Sequence, residues 1–212
     1  MIKIYVPNLS NRGDRYKHIV SEIPKDFFDL KIINPIKHSL GNVSLWHTIQ
    51  YIIREKVHIN NDFFIFCEDD HLFTEIYSLE YLQESIKEAQ DLNADILSGG
   101  VSWFQTGIQI SKNLFWVERF SGLQFTVVFK KFYSKILSAD FNETDAADFK
   151  ISDLSDRKFV MYPFISIQKE FGYSDVTERN NEEGRVERLF DETSERLQLL
   201  KNVRNFYLPE FK

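Results

Sequence analysis

Residues 62–71 read DFFIFCEDDH, and this stretch decides the predicted fold. The apolar run from Phe63 to Cys67 lies between polar neighbours, as expected for a strand that is buried on both faces in the middle of a sheet. An acidic cluster, Glu68 to Asp70, follows immediately. In an open α/β sheet, ligands bind beyond the carboxyl ends of the strands. The stretch therefore predicts a central strand with functional side chains at its end.

Strand-like and helix-like patterns alternate on both sides of this stretch. Residues 2–6 and 94–97 have the composition of strands. In residues 43–57 and 79–89, apolar side chains recur every three or four positions, as in amphipathic helices, and Asn42 is the expected N-cap of the first. Such alternation is typical of a sheet with crossover helices. We therefore expect an α/β fold with a mostly parallel, Rossmann-like central sheet flanked by helices.

The C-terminal residues have a different pattern. From Arg185 onward, apolar residues recur at helical spacing, which indicates one helix with an apolar face. Acidic and basic side chains are mixed along it, so its attraction to anionic lipid should be weak. We divide the chain into an α/β domain at 1–178 and a helical extension at 179–212. The extension packs on the domain or on a partner, such as a second copy of the chain.

The composition excludes several classes of protein. Lys and Arg number 26 against 32 Asp and Glu, a net charge of −6, and no basic stripe is present to bind a nucleic acid. Cys67 is the single cysteine, so an internal disulfide is excluded and a reducing compartment is favoured. No stretch approaches the roughly 20 apolar residues of a membrane span. We expect a cytoplasmic protein, free or peripheral to the inner membrane face.

The acidic cluster predicts a metal site. Carboxylates this close repel each other, so a cation or a group of donors should offset them. Hard oxygen ligands select Mg²⁺ or Mn²⁺, for which Glu68 and Asp70 are candidate ligands, and Asp175 is a late carboxylate that could fold back toward Asp70. The alternative is that these residues only cap the turn after the strand.

Two further segments follow predicted strands. Arg12 and Arg15 lie near the start of the first helix, where a phosphate group would be favoured, although a solvated turn with two surface arginines fits equally. Gly99 and Gly100 would let the backbone approach a ligand closely, and Trp103 could stack on a sugar. The alternative for this second segment is a tight turn with a buried tryptophan.

Taken in order, these segments resemble the lipopolysaccharide-type glycosyltransferase family 25. The resemblance spans about residues 2–176. The shared segments are Asn8-Leu9 with Arg12 to Arg15, Gly41 to Ser44 with His47, Glu68 to Asp70, and Pro163 and Gln168 with Ser174-Asp175. There are two departures from the family's pattern. Leu45 and Trp46 separate Ser44 from His47, and Ser121-Gly122-Leu123 stands where the family has Ala-Gly-Tyr.

The resemblance implies a GT-A-type fold and a hexosyltransferase-like enzyme. Its donor would be a nucleotide-diphosphate sugar such as a UDP-sugar, with Mn²⁺ or Mg²⁺ on the diphosphate. Its acceptor would be a saccharide of a polysaccharide or lipopolysaccharide. Together, the residue patterns and the resemblance give these candidate site residues: Asn8, Arg12, Arg15, Glu68, Asp69, Gly99 and Gly100 for the donor, Glu68, Asp70 and Asp175 for the metal, and Trp103, Gly122 and Gln168 for the acceptor.

An inverting transfer also needs a carboxylate that takes the proton of the acceptor hydroxyl. Asp148 is the first candidate and Asp145 the second, because residues three apart share a face if this segment is helical. Either could instead be a helix cap or a surface residue. Two other functions remain open: a phosphate-handling metalloenzyme, such as a nucleotidyltransferase or phosphohydrolase, and a catalytically silent nucleotide- or sugar-binding domain.

Overall fold

The computed structural model describes residues 1–58, 60–173 and 182–209. Strands form the centre of the fold: β1 (Ile2–Pro7), β2 (Phe28–Ile33), β3 (Phe63–Cys67), β4 (His71–Phe73), β5 (Ile96–Ser98), β6 (Trp103–Phe104), β7 (Gly107–Gln109), β8 (Leu114–Val117), β9 (Phe120–Ser121), β10 (Phe125–Phe129), β11 (Lys158–Met161) and β12 (Ser166–Gln168).

Helices flank these strands. They are α1 (Gly13–Glu22), α2 (Gly41–Tyr51), α3 (Leu79–Asp91), α4 (Tyr133–Ser138), α5 (Ala147–Asp153) and α6 (Arg185–Tyr207). A π-helical segment, Ile52–Lys56, extends α2, and a 3₁₀ turn, Lys130–Phe132, leads into α4.

Eight strands form one mixed sheet in the order β2-β1-β3-β10-β5-β11-β8-β7. Strands β10 and β8 run against the other six, which share one direction. Two small antiparallel ribbons, β4 with β12 and β6 with β9, lie outside this sheet. The predicted fold class, a mostly parallel α/β sheet flanked by helices, is confirmed. The carboxyl ends of β1, β3 and β5 consequently meet at one edge of the sheet.

Strand β3 is buried on both faces, as its sequence predicts. Phe64 and Phe66 belong to the hydrophobic cluster on one face of the sheet, and Ile65 and Cys67 to the cluster on the other. Because alternate side chains point to opposite faces, an unbroken apolar run is needed to satisfy both. The acidic cluster therefore begins where the buried part of the strand ends.

Two local predictions were wrong. Asn42 is not an N-cap, because α2 begins at Gly41; the Asn42 amide instead donates to the carbonyls of Glu143 and Asp145, at 2.7 and 2.8 Å. Asp145 shares no helix face with Asp148, because α5 begins only at Ala147.

Helix α6 packs on the α/β domain. Val186, Phe190 and Leu197 are buried in the same cluster as the sheet residues, and the Thr193 hydroxyl donates to the Ser102 carbonyl at 2.9 Å. The predicted boundary at 178/179 falls in residues 174–181, outside the described part of the chain. Within the described part, no helix is both long enough and apolar enough to cross a membrane.

Candidate functional site

A cleft of about 670 Å³ opens at the carboxyl edge of the sheet. Side chains from the ends of β1 and β3, from α5 and from the start of α6 line it. The predicted site residues that it brings together are Arg12, Arg15, Glu68, Asp69, Asp70, Trp103, Gly122, Asp148 and Gln168. Asn8 lies behind this lining and contacts Asp69.

Donors surround Asp69 at the base of the cleft. The Asn8 amide donates to Oδ2 and Arg15 Nη1 donates to Oδ1, each at 2.9 Å. Arg12 Nη1 lies 3.7 Å from Oδ2. The side chain of Asp69 is only 7% exposed, so these donors replace the water that a carboxylate would otherwise bind. Both of its oxygens are occupied by the protein.

Arg15 connects the carboxylates. Its Nη1 also donates to Asp70 Oδ2 at 2.8 Å, and its Nη2 donates to the Tyr173 carbonyl at 2.9 Å. The rings of Phe171 and Tyr173 each lie 4.8 Å from the guanidinium carbon. Burial lowers the pKa of Arg15, but Asp70 and Asp69 raise it by more, so the net pKa is above its ordinary value. Arg15 is therefore a permanent counter-ion for Asp69 and Asp70.

The other two carboxyl groups of the cluster are less well stabilised. Burial raises the pKa of Asp70 above its ordinary value although Arg15 opposes this, and Asp70 Oδ1 is buried without a hydrogen-bond partner. Burial and the charge of Asp70 raise the pKa of Glu68 to about 8, although Gln168 Nε2 donates to Glu68 Oε2 at 2.8 Å. Further positive charge near this wall would therefore be stabilised.

The predicted divalent cation stays a prediction, and protein donors already occupy part of its site. Arg15 and Asn8 occupy both oxygens of Asp69, and Arg15 occupies one oxygen of Asp70. Among residues 1–58, 60–173 and 182–209, no group of three or more His, Cys, Asp or Glu side chains is arranged to hold a metal ion. Asp175, the third predicted ligand, lies outside the described residues. Within the part of the chain that the structure describes, Arg15 is the counter-ion of Asp69 and Asp70.

Asp148 also lines the cleft, from the first turn of α5. Its Oδ2 accepts hydrogen bonds from the Ser121 hydroxyl at 2.6 Å and from the Gly122 backbone N–H at 3.1 Å. Gly122 has φ +112°, a conformation that favours glycine, so this residue shapes the backbone that holds the carboxylate. The charge of Asp148 also contributes to the raised pKa of Glu68, which places the two carboxyl groups within electrostatic range.

Trp103 also lines the cleft and contacts Phe149, the residue that follows Asp148 on α5. It is 38% exposed, and its ring meets the Phe149 ring edge-on with 5.9 Å between the centroids. A partly exposed ring that a second ring holds in place offers a flat apolar surface to a ligand. The predicted acceptor residues Trp103, Gly122 and Gln168 all line the cleft.

Gly99, Gly100 and Asp145 are not among the residues that line the cleft. A Cβ on Gly100 would lie 2.1 Å from the Ser166 carbonyl oxygen, and one on Gly99 would lie 3.0 Å from Phe125, so these glycines allow tight internal packing. The Asp145 carboxylate accepts from the Asn142 backbone N–H at 2.9 Å and from Lys150 at 3.1 Å, and these donors lower its pKa. Of the two candidate bases, Asp148 alone lines the cleft.

The structure adds cleft residues that sequence reasoning missed. Lys169 and Arg185 line the cleft, and Arg185 is the first residue of α6. The Glu170 carboxylate holds this helix start in place by accepting from the backbone N–H groups of Gly184 and Val186, at 2.7 Å each. The sequence pattern locates the beginning of α6, but no local signal indicates where that end docks.

No protein-family model matches the chain, and no curated protein matches it. Among solved structures, A197 from STIV is similar with a TM-score of 0.51 at 16% identity, covering 82% of this chain and 87% of that one. HddC from Yersinia pseudotuberculosis is similar with a TM-score of 0.48 at 11% identity, covering 92% and 78%. An apo UDP-glucose pyrophosphorylase follows at 0.46 and 11%, covering 91% and 80%. At these identities, the likeness to A197 shows a shared fold alone, and the two lower TM-scores support no inference.

Proposed function

We propose that this chain is a glycosyltransferase that moves a sugar from a nucleotide-diphosphate donor to a saccharide acceptor. The observation that carries the proposal is that one cleft holds two different groups of side chains. The acidic cluster with its arginines forms one group, and Asp148 with Trp103 forms the other. A transferase of this kind needs a polar end for a charged donor and a carboxylate beside an apolar ring for an acceptor.

The donor would lie at the carboxyl ends of β1 and β2. Pro7 at the end of β1, Leu9 and Pro35 line this part of the cleft and present apolar surface suited to a nucleoside. The nearby Arg12 lines the cleft as well. Crevices beyond the carboxyl ends of strands are where open α/β sheets bind ligands, so the donor site agrees with the fold.

The acceptor would stack on Trp103 next to Asp148. In the transfer, the acceptor hydroxyl oxygen forms a bond to the anomeric carbon of the donor sugar. The bond from that carbon to the diphosphate oxygen breaks, and the diphosphate leaves with the electron pair. In an inverting transfer the hydroxyl proton passes to a carboxylate, and Asp148 is the group that we assign to this role.

The test compares Asp148→Asn with Asp153→Asn. Both residues are on α5, but Asp153 is half-exposed, pairs with Arg119 and is not part of the cleft lining. An asparagine at position 148 can still accept from Ser121 and Gly122, so the fold should be retained. We expect Asp148→Asn to lower sugar transfer or donor hydrolysis by about a hundredfold or more without loss of nucleotide binding, while Asp153→Asn behaves as the wild type.

The measurement has two stages. Thermal shifts with UDP, GDP and CMP, each with and without Mn²⁺, identify the nucleotide, because a ligand that binds only the folded state raises its stability. Mass spectrometry then follows sugar release from the matching nucleotide sugars, with and without saccharide acceptors. Equal activity of Asp148→Asn and the wild type would contradict the assignment of the base, and the absence of any nucleotide shift would contradict the whole proposal.

The remaining alternatives give different products. A nucleotidyltransferase would release pyrophosphate from a nucleoside triphosphate and a sugar phosphate, and a phosphohydrolase would release inorganic phosphate. A silent binding domain would show a nucleotide shift without turnover. The metalloenzyme alternatives require one or two ions around Glu68, Asp69 and Asp70, where Arg15 already pairs with two of the three carboxylates.

A further inference from the structure

The charges of the cleft are unevenly paired. Asp69 and Asp70 share Arg15, Glu68 accepts from Gln168, and Asp148 accepts from Ser121. Each of these four carboxylates thus has a donor from the protein itself. A doubly charged diphosphate would therefore need other positive groups in the same cleft.

Arg185 and Lys169 are the cleft cations without a carboxylate partner among the described residues. The Arg185 Nε is buried and has no hydrogen-bond partner. Lys169 is exposed, with its ammonium 5.3 Å from the centre of the Phe171 ring. A buried, unpaired guanidinium N–H is costly, so an arginine held in this state is suited to a ligand that completes its hydrogen bonds.

The start of α6 is not itself available to an anion. Glu170 already accepts from the N–H groups of Gly184 and Val186. The backbone donors that could attract a phosphate are therefore occupied by a carboxylate. The same contact fixes the first turn of α6, and so fixes where the Arg185 guanidinium can reach.

Building on the proposed function, we infer that Arg185 and Lys169 neutralise the diphosphate of the donor, and that this chain binds its nucleotide without a divalent cation. Arg15 supplies to Asp69 and Asp70 the positive charge that a metal ion would otherwise supply. The extension at the C-terminal end of the chain is then part of the donor site. The sequence-based prediction instead places a metal ion at the acidic cluster.

Calorimetric titration of UDP, GDP and CMP tests the inference, with each nucleotide measured in excess EDTA and again in excess Mn²⁺. The variants are Arg185→Gln and Lys169→Gln, with Arg188→Gln as the control. Arg188 is on the same helix, but it pairs with Glu182 at the surface and is not a cleft residue. All three variants remove one positive charge, so the control accounts for the change in net charge.

We expect the same Kd in EDTA and in Mn²⁺ for the wild type. Arg185→Gln should raise the Kd about ten- to a hundredfold, the effect of losing a charge-assisted hydrogen bond, and Lys169→Gln should raise it less because that side chain is exposed. Arg188→Gln should leave the Kd unchanged. The three nucleotides allow the test without knowledge of the sugar or the acceptor.

Two outcomes would overturn the inference separately from the proposed function. Nucleotide binding that needs Mn²⁺ would contradict binding without a divalent cation. Equal Kd values for Arg185→Gln and Arg188→Gln would contradict the role of Arg185. Either result would leave the donor site of the proposed function in place. Absence of nucleotide binding in both EDTA and Mn²⁺ would instead overturn the proposed function and this inference together.

A variant of Arg15 provides a second test. Arg15→Gln leaves Asp69 and Asp70 without their counter-ion, so Mn²⁺ alone should raise the thermal stability of this variant and not that of the wild type. Circular dichroism verifies that the variant is folded. A Mn²⁺ shift of equal size in the wild type would show that the carboxylates bind the metal with Arg15 present, which contradicts the inference.

Discussion

Strands β3 and β5 end at the same edge of the sheet, and the residues after them differ in what covers them. Glu68 to Asp70 follow β3 and line the open cleft. Gly99 and Gly100 follow β5 and are covered by the segment before β12, whose Ile165 N–H donates to the Gly99 carbonyl at 2.9 Å. The carboxyl end of a strand is thus a necessary position for a ligand site, and the covering segment decides whether the position is used.

The largest expected effect is a loss of stability from a substitution at the covered end of β5. A methyl group on Gly100 would meet the Ser166 carbonyl oxygen at 2.1 Å, so the backbone must move. We expect Gly100→Ala to lower the free energy of unfolding by about 3 kcal/mol in urea denaturation. In the matched variant Gly13→Ala, the new Cβ meets nothing within 4 Å, and the change should stay below about 1 kcal/mol.

The nucleotide Kd of Gly100→Ala tests separately whether this end of β5 contacts the ligand. Because Gly100 does not line the cleft, the folded Gly100→Ala protein should bind nucleotide with the wild-type Kd. A stable variant that has lost nucleotide binding would mean that the glycines contact the ligand, as their position after a strand predicts.

The second largest effect is expected at His71, which follows the acidic cluster. Its Nδ1 forms a hydrogen bond with Oγ of Ser166, on β12, at 2.8 Å. Burial lowers the pKa of His71 to about 3 from 6.5. The unfolded chain therefore binds a proton that the folded chain does not, between these two pH values. The free energy of unfolding therefore carries no penalty from His71 above about pH 6.5. It decreases as the pH falls toward 3, by about 2 kcal/mol at about pH 5.

Denaturant unfolding of His71→Gln checks this pH dependence. The variant should be less stable at neutral pH, but its stability should fall less between about pH 7 and pH 5 than that of the wild type. His58→Gln, at an exposed histidine, should retain the wild-type pH dependence. Parallel pH profiles for His71→Gln and the wild type would show that another group titrates in this range.

The smallest effect is expected at the open cleft. Trp103→Ala removes a partly exposed ring, so the cost in stability should be below about 1 kcal/mol, and the KM for the acceptor should rise about three- to tenfold. The control is Ile108→Ala, at an exposed side chain on β7 outside the cleft lining. A Trp103→Ala protein with unchanged acceptor KM would exclude stacking on this ring.

Local patterns were reliable where the physical cause is local. The run from Phe63 to Cys67 indicates a buried strand, because both faces of that strand need apolar side chains, and the helical spacing after Arg185 indicates α6. The position of Asp148 shows the limit. Its spacing from Asp145 suggests one helix face, but α5 begins only at Ala147, and the loop before it accepts hydrogen bonds from the distant Asn42 amide.

The sequence by itself determined the α/β class, the central strand and the acidic cluster at its end, since hydrophobic period and strand position depend on neighbouring residues. Only the tertiary structure decided that Arg15, 54 residues before Asp69, is the counter-ion of that cluster, and that Arg185 enters the cleft from the far end of the chain. Such pairings depend on how the whole chain packs, because the energy of a buried charge is set by groups that are close in space.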